Sequence, residues 1–201
     1  MPCDPGKCWS YAHTNFVILG QVIEKVTGKP FAEVIRANIL EPLSLKDTRS
    51  EETAIIQEPV LHAFDAERGK YEESTYWNPS WTLAKGAIQT SNIADILKTA
   101  RAIGTGTLLS PESHELQLAP GTAKFHPWNE KMYYGFGVFV INDWIVQNPS
   151  FAGYAATMTY LPSEDLAIAV SVTVQVDAPD GNLSTVLMKA IAAYLVPDNP
   201  I

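Results

Sequence analysis

A serine followed three residues later by a lysine indicates covalent catalysis, because one helical turn places the amine beside the hydroxyl, where it can take the proton. No serine of this 201-residue chain has a lysine at that spacing. Ser44 comes nearest, with Lys46 two residues away and Asp47 three residues away. The G-x-S-x-G, H-E-x-x-H, Walker A and G-x-G-x-x-G motifs are absent from the sequence as well. The chain therefore carries no self-contained catalytic motif of these kinds.

The cysteine and histidine residues indicate no metal centre. Cys3 and Cys8 bracket a Pro-Gly turn, which can bring them together as a disulfide or leave them as two reduced thiols. Two sulfurs need further ligands, and the four histidines are scattered without metal-ligand spacing. We interpret His62, His114 and His126 as surface or structural residues, and we expect neither a metal nor a cofactor.

The composition is that of an acidic globular protein. Hydrophobic residues make up 46% and charged residues 18% of the chain, the formal net charge is −8 and the pI is about 4.9. An acidic surface argues against binding nucleic acid or an anionic membrane through the overall field. No apolar run reaches the roughly 18–20 residues that span a bilayer. Residues 1–4 lack the start of a signal peptide, which in a complete protein suggests a cytosolic location.

Helical periodicity begins shortly after the cysteines. A first helix is predicted over Asn15–Val26, with Thr14 or Asn15 able to cap its start and Gly28 suited to its end. A second helix is expected over Pro30–Leu40. The face of the first helix that we expect to be apolar consists of Leu19, Val22, Ile23 and Val26.

Two more helices follow an irregular segment. Residues 44–85 have little periodicity and many aromatic side chains, which is typical of a functional loop region. Thr90 or Ser91 is expected to cap a helix over Asn92–Ile103 that ends at Gly104. A shorter helix is expected to open at Ser110-Pro111-Glu112.

The last third of the chain has the pattern of strands and one helix. Strands are predicted over Tyr133–Val146, Ala155–Leu161 and Leu166–Val176, with residues 162–165 as the turn between the last two. A closing helix is predicted over Asn182–Leu195. Helices followed by an antiparallel meander and a closing helix indicate an α+β fold.

Short segments spread along the chain resemble one family, in the family's own order. Tyr11-Ala12-His13 and its flanks resemble the Y-x-N region of class C β-lactamases, D-alanyl-D-alanine carboxypeptidases and related esterases. The matching segments are residues 9–16, 19–20, 23–30, 39–43, 85–95, 106–113, 134–137, 152–154 and 160–162. Each segment alone is a weak signal, but their order over nearly the whole chain indicates this serine β-lactamase and penicillin-binding-protein-like family.

The resemblance implies a β-lactamase/transpeptidase-like α+β fold, present as its C-terminal portion without the S-x-x-K segment. Residues 1–132 are then expected to form the helical and loop region, and residues 133–201 the antiparallel strands and closing helix. In the family the N-terminal segment contributes strands and the central helix to the same core. We therefore expect exposed apolar faces on the sheet and helices, with self-association or a complementing N-terminal segment to cover them.

The second of the family's three motifs maps onto Tyr11-Ala12-His13. In the family the tyrosine oxygen works as, or near, the general base for the serine, and a phenol of pKa near 10 needs a neighbouring lysine cation for this. His13 stands where the family more often has asparagine, and an imidazole can donate a hydrogen bond with a charge that responds to pH near 6.5. The alternatives are a packed aromatic for Tyr11 and a capping or partly buried residue for His13.

The third motif, usually K-T-G or H-x-G on the strand lining the cleft, falls on Gln147-Asn148-Pro149. A neutral glutamine can only hydrogen-bond where the usual cation binds a substrate carboxylate, and Pro149 lacks an N–H where glycine allows close approach. This departure favours a neutral ester or amide substrate, unless the segment is a plain turn. The oxyanion-hole contribution of this strand falls within Ser150-Phe151-Ala152. The aromatic residues Tyr76, Trp77, Trp81 and Trp144 either line the cleft or belong to the core.

The resemblance implies that this chain is part of a serine hydrolase, which acts by acyl transfer on a small-molecule ester, amide or β-lactam. We expect the isolated chain to be inactive, because losing the nucleophile removes the covalent route. The alternative is a non-catalytic ligand-binding module derived from the same fold. The family usually works outside the cytoplasm, so the resemblance suggests a periplasmic or secreted full-length protein, which would fit a Cys3–Cys8 bridge.

Overall fold

The computed structural model describes residues 3, 4, 6–51, 53–78, 88–176 and 181–201. Two parts of the sequence interpretation, Trp81 and the start of the 85–95 match, lie outside these residues. The elements follow the predicted α+β order, with a helical region, short loop strands, two further helices, an antiparallel sheet and a last helix.

Helix α1 spans His13–Thr27 and begins two residues earlier than predicted. Its N-cap is Ala12, which makes no side-chain hydrogen bond, so the expected cap at Thr14 or Asn15 is wrong. Gly28 ends the helix as predicted: it adopts the left-handed conformation with φ 67° and its N–H donates to the Glu24 carbonyl. Among the α1 residues only Gly20 is buried, and Leu19 and Val26 of the predicted apolar face are 52% and 81% exposed.

Helix α2 spans Phe31–Ile35 and continues directly into a π-helical turn over Arg36–Leu40. The predicted range is therefore confirmed, but its second half has wider hydrogen bonding than an α-helix. Pro30 precedes the helix as its N-cap rather than occupying its first position.

Helix α3 spans Ile93–Thr105, helix α4 spans Pro111–Leu118, and both have a polar side chain at the start. The Asn92 side chain caps α3, where Thr90 or Ser91 was expected; α4 opens at Ser110-Pro111-Glu112 as predicted, with the Ser110 hydroxyl as its cap. The expected end of α3 at Gly104 is wrong, because Gly104 is helical and buried and Gly106 takes the left-handed position with φ 66°.

The main sheet has six strands: β5 (Met132–Tyr134), β6 (Phe139–Ile141), β7 (Trp144–Gln147), β8 (Ser150–Phe151), β9 (Tyr154–Leu161) and β10 (Leu166–Thr173). Their order is β10-β9-β7-β6-β5, every pairing is antiparallel, and β8 pairs with the start of β9. Four two-residue strands form separate small pairs in the loop region: β1 (Arg49–Ser50) with β4 (Gln89–Thr90), and β2 (Phe64–Asp65) with β3 (Glu72–Glu73).

The single strand predicted over Tyr133–Val146 is wrong, since this segment folds into β5, β6 and β7. Asn142 and Asp143 both have positive φ, 48° and 69°, which makes a tight two-residue hairpin between β6 and β7. Gly137, with φ 79°, lies in the turn between β5 and β6. The strand predictions for β9 and β10 are confirmed, although β10 ends at Thr173.

Neighbouring residues along a strand point to opposite faces of the sheet, and helices pack on both faces. On one face, helix α5 (Leu183–Leu195) covers a core that consists of Trp144, Val146, Leu161, Ile168, Met188 and Ala192. On the other face, Val138, Ile145 and Tyr160 pack with Ile103 of α3 and with Leu118. The alternation places Ile145 and Tyr160 opposite their sequence neighbours Trp144 and Leu161, so both faces of the sheet are buried.

The outer surface of this sandwich is apolar at a strand edge and on two helices. Strand β10 pairs with β9 on one side and with no described strand on the other, and its eight residues include no charged side chain. The outward side of α5 exposes Val186, Leu187, Ile191, Tyr194 and Leu195. The expected exposed apolar faces are therefore present on helices α1 and α5, whereas the exposed sheet face expected from the sequence is wrong, because both faces are packed and only the edge of β10 is open. None of the described helices is long and apolar enough to cross a membrane.

Candidate active site

Tyr11 lies in extended chain two residues before α1, and its side chain is 49% exposed. Its ring meets three others at centroid distances near 6 Å: His13 at 5.7 Å, Phe16 at 6.0 Å and Tyr134 at 6.1 Å. The contact with His13 is edge-to-face, with an interplanar angle of 83°. The two residues of the second motif are thus adjacent and open to solvent, where a phenol and an imidazole can reach a ligand.

Tyr134 links Tyr11 to the sheet, and the sequence interpretation did not single it out as a functional residue. It is the last residue of β5 and is buried, with its ring against Trp9 and Phe139 as well as Tyr11. Trp9 also packs edge-to-face on Trp128, at 4.8 Å. These five rings form an aromatic cluster that consists of Trp9, Tyr11, Trp128, Tyr134 and Phe139.

Two polar atoms of the aromatic cluster have no partner. Within the part of the chain that the structure describes, the buried Tyr134 hydroxyl and the buried Trp128 indole N–H make no hydrogen bond. Burial raises the pKa of Tyr134, and the proximity of Tyr11 raises it further. The nearby Gln147 amide acts on this pKa in the opposite direction, but it does not have hydrogen-bond geometry to the hydroxyl. Tyr134 therefore stays protonated and holds an unused donor.

Gln147 of the third motif is the last residue of β7, Asn148 follows it, and both make hydrogen bonds within the fold. The Gln147 side chain donates to the Gly137 carbonyl at 2.6 Å, and its oxygen accepts from the Asn148 N–H at 2.9 Å. The Asn148 carbonyl accepts from the Asn182 side chain at 3.0 Å. Because each end of the Gln147 amide makes a hydrogen bond within the protein, this residue shapes the strand end, and its second N–H and second oxygen lone pair are what it has left for a substrate.

The residues predicted for the oxyanion hole form β8 and the turn after it. Ser150 and Phe151 pair with Ala155 and Tyr154 of β9, and Ala152 and Gly153 take positive φ values of 48° and 80° in the connecting turn. Ala152 is buried, and its carbonyl accepts from the Ser74 hydroxyl at 2.7 Å.

The turn after β8 lies close to the small β2–β3 pair. A Cβ on Gly153 would lie 2.3 Å from the Phe64 carbonyl oxygen. The described contacts of this turn therefore run to the loop region rather than to Tyr11.

The remaining aromatic candidates lie outside this cluster. Trp144 is fully buried in the core and its indole N–H donates to the Asn199 carbonyl, so it does not line a cleft. Tyr76 donates to Glu58 at 3.0 Å, and the Arg68 guanidinium stacks 4.0 Å above the Trp77 ring. Tyr76 and Trp77 thus belong to the loop region around residues 58–77.

The cysteines form a disulfide between Cys3 and Cys8, one of the two alternatives that the sequence left open. His62 pairs with Glu73, and His114 bonds the Ile103 carbonyl, so both have structural contacts. Among the residues that the structure describes, no group of three or more His, Cys, Asp or Glu side chains could hold a metal ion.

The order of these elements and motifs is matched by a known family. The sequence model of the Beta-lactamase family matches residues 1–193 of the chain. The chain belongs to the β-lactamase family. Its β-lactamase/transpeptidase-like fold, expected from the motifs, is confirmed by solved structures of the same architecture.

Similar proteins include penicillin-binding proteins and an amidohydrolase. Penicillin-binding protein 4* of Bacillus subtilis (strain 168) is 24% identical over 156 residues, which cover 72% of this chain and 33% of that protein. A D-stereospecific amidohydrolase from Streptomyces sp. superposes with a TM-score of 0.75 and 24% identity over 84% of this chain and 51% of its own. A penicillin-binding protein from Bacillus halodurans gives a TM-score of 0.73 and 20% identity over 95% of this chain and 59% of its own.

The chain spans about a third of the length of these curated relatives and about half of the length of these solved structures. The amidohydrolase among them is therefore a longer protein than this chain.

Proposed function

We propose that this chain supplies part of the site of a serine hydrolase that transfers the acyl group of a small-molecule amide, ester or β-lactam. The observation that carries the proposal is the position of Tyr11. It is exposed just before α1, and its ring packs edge-to-face on the buried Tyr134 at the end of β5. Two segments separated by more than a hundred residues, both matched by resemblance to the family, thus meet at these two rings.

In this proposal Tyr11 takes the proton of a serine nucleophile, and His13 donates a hydrogen bond to that pair or to the substrate. The serine and its lysine come from an S-x-x-K segment, which this sequence does not contain. We therefore propose that the isolated chain has no serine-dependent turnover, since the remaining groups cannot form the acyl-enzyme.

A neutral amide or ester is the substrate class we favour. The third-motif position holds Gln147 instead of a cation, so no charge is available there for a substrate carboxylate. The similar Streptomyces protein is a D-stereospecific amidohydrolase, which supports an amide among these bonds.

The internal hydrogen bonds of Gln147 favour a second candidate, a non-catalytic ligand-binding module. Both polar ends of its amide are used within the protein, so the strand end is built to be stable without a substrate. A module of this kind would bind a ligand at Tyr11 and His13 without cleaving it.

We also propose that a complementing N-terminal segment covers the open edge of β10 and the outward side of α5. The uncharged eight-residue strand offers backbone groups for pairing, and the exposed α5 side chains offer apolar surface beside it. Without that segment we expect self-association through the same surface. The Cys3–Cys8 disulfide supports our proposal that the full-length protein works outside the cytoplasm, because disulfides persist in oxidising compartments.

The coding sequence upstream of Met1 tests the proposal first. If it encodes an S-x-x-K segment, the longer chain should be labelled covalently by a fluorophosphonate or penicillin probe, at that serine. Tyr11→Phe in the longer chain should slow labelling by about 100-fold or more, the usual contribution of a general base. The isolated chain should not be labelled.

Tyr133→Phe is the matched control, because the Tyr133 hydroxyl donates to the Leu118 carbonyl away from Tyr11. Equal labelling of the Tyr11→Phe and Tyr133→Phe proteins would refute the role of Tyr11. Labelling of any serine in the isolated chain would refute its proposed inactivity. Without an upstream S-x-x-K segment, the binding module becomes the better candidate.

A further inference from the structure

We propose that Tyr134 is a positioning residue for Tyr11, to which its hydroxyl donates a hydrogen bond when the Tyr11 oxygen carries negative charge. This inference rests on the proposed function, in which Tyr11 acts as a base. It assigns a purpose to a buried hydroxyl that has no hydrogen-bond partner among the residues that the structure describes.

The backbone and ring of Tyr134 are both fixed in place. Its N–H donates to the Thr122 hydroxyl and its carbonyl accepts from the same hydroxyl, each at 2.8 Å. The ring packs edge-to-face on Phe139 at 4.8 Å and tilted against Trp9 at 5.8 Å. The Tyr11 ring meets it edge-to-face at 6.1 Å. Tyr134 is thus fixed against Tyr11.

A buried tyrosine hydroxyl nearly always has a hydrogen-bond partner in a folded protein. The Tyr134 hydroxyl has none within the described residues, and no described residue makes a hydrogen bond to the Tyr11 hydroxyl. The Tyr11 ring is 49% exposed and contacts the Tyr134 ring, so its oxygen is the neighbouring acceptor that is not held by another described residue. We assign this oxygen as the partner of the Tyr134 hydroxyl.

The polar groups around this pair support the direction of the hydrogen bond. The titratable side chains that face it are Tyr11, His13 and Tyr134 themselves, and the other rings in contact are uncharged. The Gln147 amide is committed to Gly137 and Asn148. Because the Tyr134 hydroxyl is buried without a described partner and burial raises its pKa, this hydroxyl keeps its proton and is the donor of the pair. Tyr134 donates and Tyr11 accepts.

The proposal is tested on the chain as it exists, without turnover. Tyrosine labelled with ¹³C at the ζ carbon reports phenolate formation by NMR, and Tyr11→Phe identifies the Tyr11 resonance. In Tyr134→Phe the pH midpoint of that resonance should rise by about one unit. This is a tenfold smaller acid dissociation constant, which corresponds to the loss of one charge-assisted hydrogen bond. Tyr133→Phe, the neighbouring control, should leave the midpoint unchanged.

Stability provides an independent readout. Tyr134→Phe should leave the melting temperature unchanged or raise it, because the hydroxyl that is removed has no partner among the described residues. Tyr133→Phe should lower it, because its hydroxyl loses the bond to Leu118. An unchanged Tyr11 midpoint in Tyr134→Phe, or a loss of stability equal to that of Tyr133→Phe, overturns the proposal.

These results are separable from the labelling experiment. If Tyr11 proves unnecessary for labelling but its midpoint depends on Tyr134, the proposed function fails and the hydrogen bond stands. If Tyr11 is needed for labelling but the pH midpoint of its resonance is the same in Tyr134→Phe, the proposed hydrogen bond is refuted and the proposed function stands.

Discussion

Gly104 of α3 lies directly against the ring of Tyr160 in β9. A Cβ added to Gly104 would lie 2.1 Å from Cδ1 and 2.3 Å from Cγ of this ring. Tyr160 cannot move aside easily, because it is buried and its hydroxyl donates to Asp165 at 2.7 Å. The glycine therefore sets how closely the helix approaches the sheet.

Gly104→Ala is expected to destabilise the protein by about 2 kcal/mol, the usual cost of forcing extra volume into a packed core. The sign is informative, because glycine to alanine inside a helix otherwise gains about 1 kcal/mol. Urea unfolding followed by circular dichroism measures the free energy of unfolding. Gly121→Ala is the control, since a Cβ there meets nothing within 4 Å, and equal losses in both proteins would contradict the packing explanation.

Asp95 is expected to make stability acid-sensitive. Burial raises its pKa, but hydrogen bonds from the Asp47 N–H, Lys98 and Thr48 outweigh burial and lower the pKa overall. A folded-state pKa below the unfolded value means that the stabilisation is complete above about pH 4 and is lost as the pH falls through the folded value.

Asp95→Asn should therefore cost about 2 kcal/mol at pH 7, from hydrogen bonds to a charged group, and much less at pH 3. Thermal unfolding at the two pH values measures this difference. Asp198→Asn changes an exposed carboxylate and should keep the acid sensitivity of the parent chain. A loss that is the same at pH 7 and pH 3 would show that the charge of Asp95 is not what matters.

Gln147→Met is expected to lower stability by about 1–3 kcal/mol, because the part-buried Gly137 carbonyl and Asn148 N–H lose their partner. Gln57→Met changes an exposed glutamine and should be neutral. Thermal unfolding compares the two proteins. If Gln147→Met keeps full stability, the residue is free to serve a ligand and the structural interpretation is wrong.

The isolated chain is expected to self-associate through α5 and the edge of β10. Replacing Leu187 and Tyr194 with lysine should shift the chain toward monomer, because Tyr194 is 87% exposed and both residues are on the outward side of α5. Light scattering over a range of concentrations measures the change. Leu116→Lys on α4 is the control, and a parent chain that is already monomeric with a cooperative melt would contradict the expectation.

Local signals explain which elements could be predicted from the sequence. Helix α5 was predicted closely because Asn182 caps it and its apolar residues keep helical spacing throughout. The turn at Asn142-Asp143 was missed because apolar residues flank it on both sides, and positive φ at two non-glycine positions has only a weak signature. Gly104 was taken for a helix end because its reason for being glycine, the Tyr160 ring, lies 56 positions later in the chain.

The candidate site could be predicted only in part, for a related reason. Tyr11 and His13 were found from the motif that contains them, which is local. Tyr134 was not, because its burial and its contact with Tyr11 arise only when β5 meets the start of α1. The same holds for Gln147, whose hydrogen bond to Gly137 depends on the pairing of the strands around it.

The near absence of buried residues in α1 has a consequence for motion. Amide hydrogens in α1 should exchange with solvent far faster than those in β9 or α3, because little apolar contact opposes local opening of this helix. His13 therefore stands in the helix that we expect to open first and Tyr11 just before it, while Tyr134 and Gln147 stand in the sheet. The geometry between them can be lost while the sheet remains intact, so a melting curve dominated by the sheet would not report whether the site is assembled.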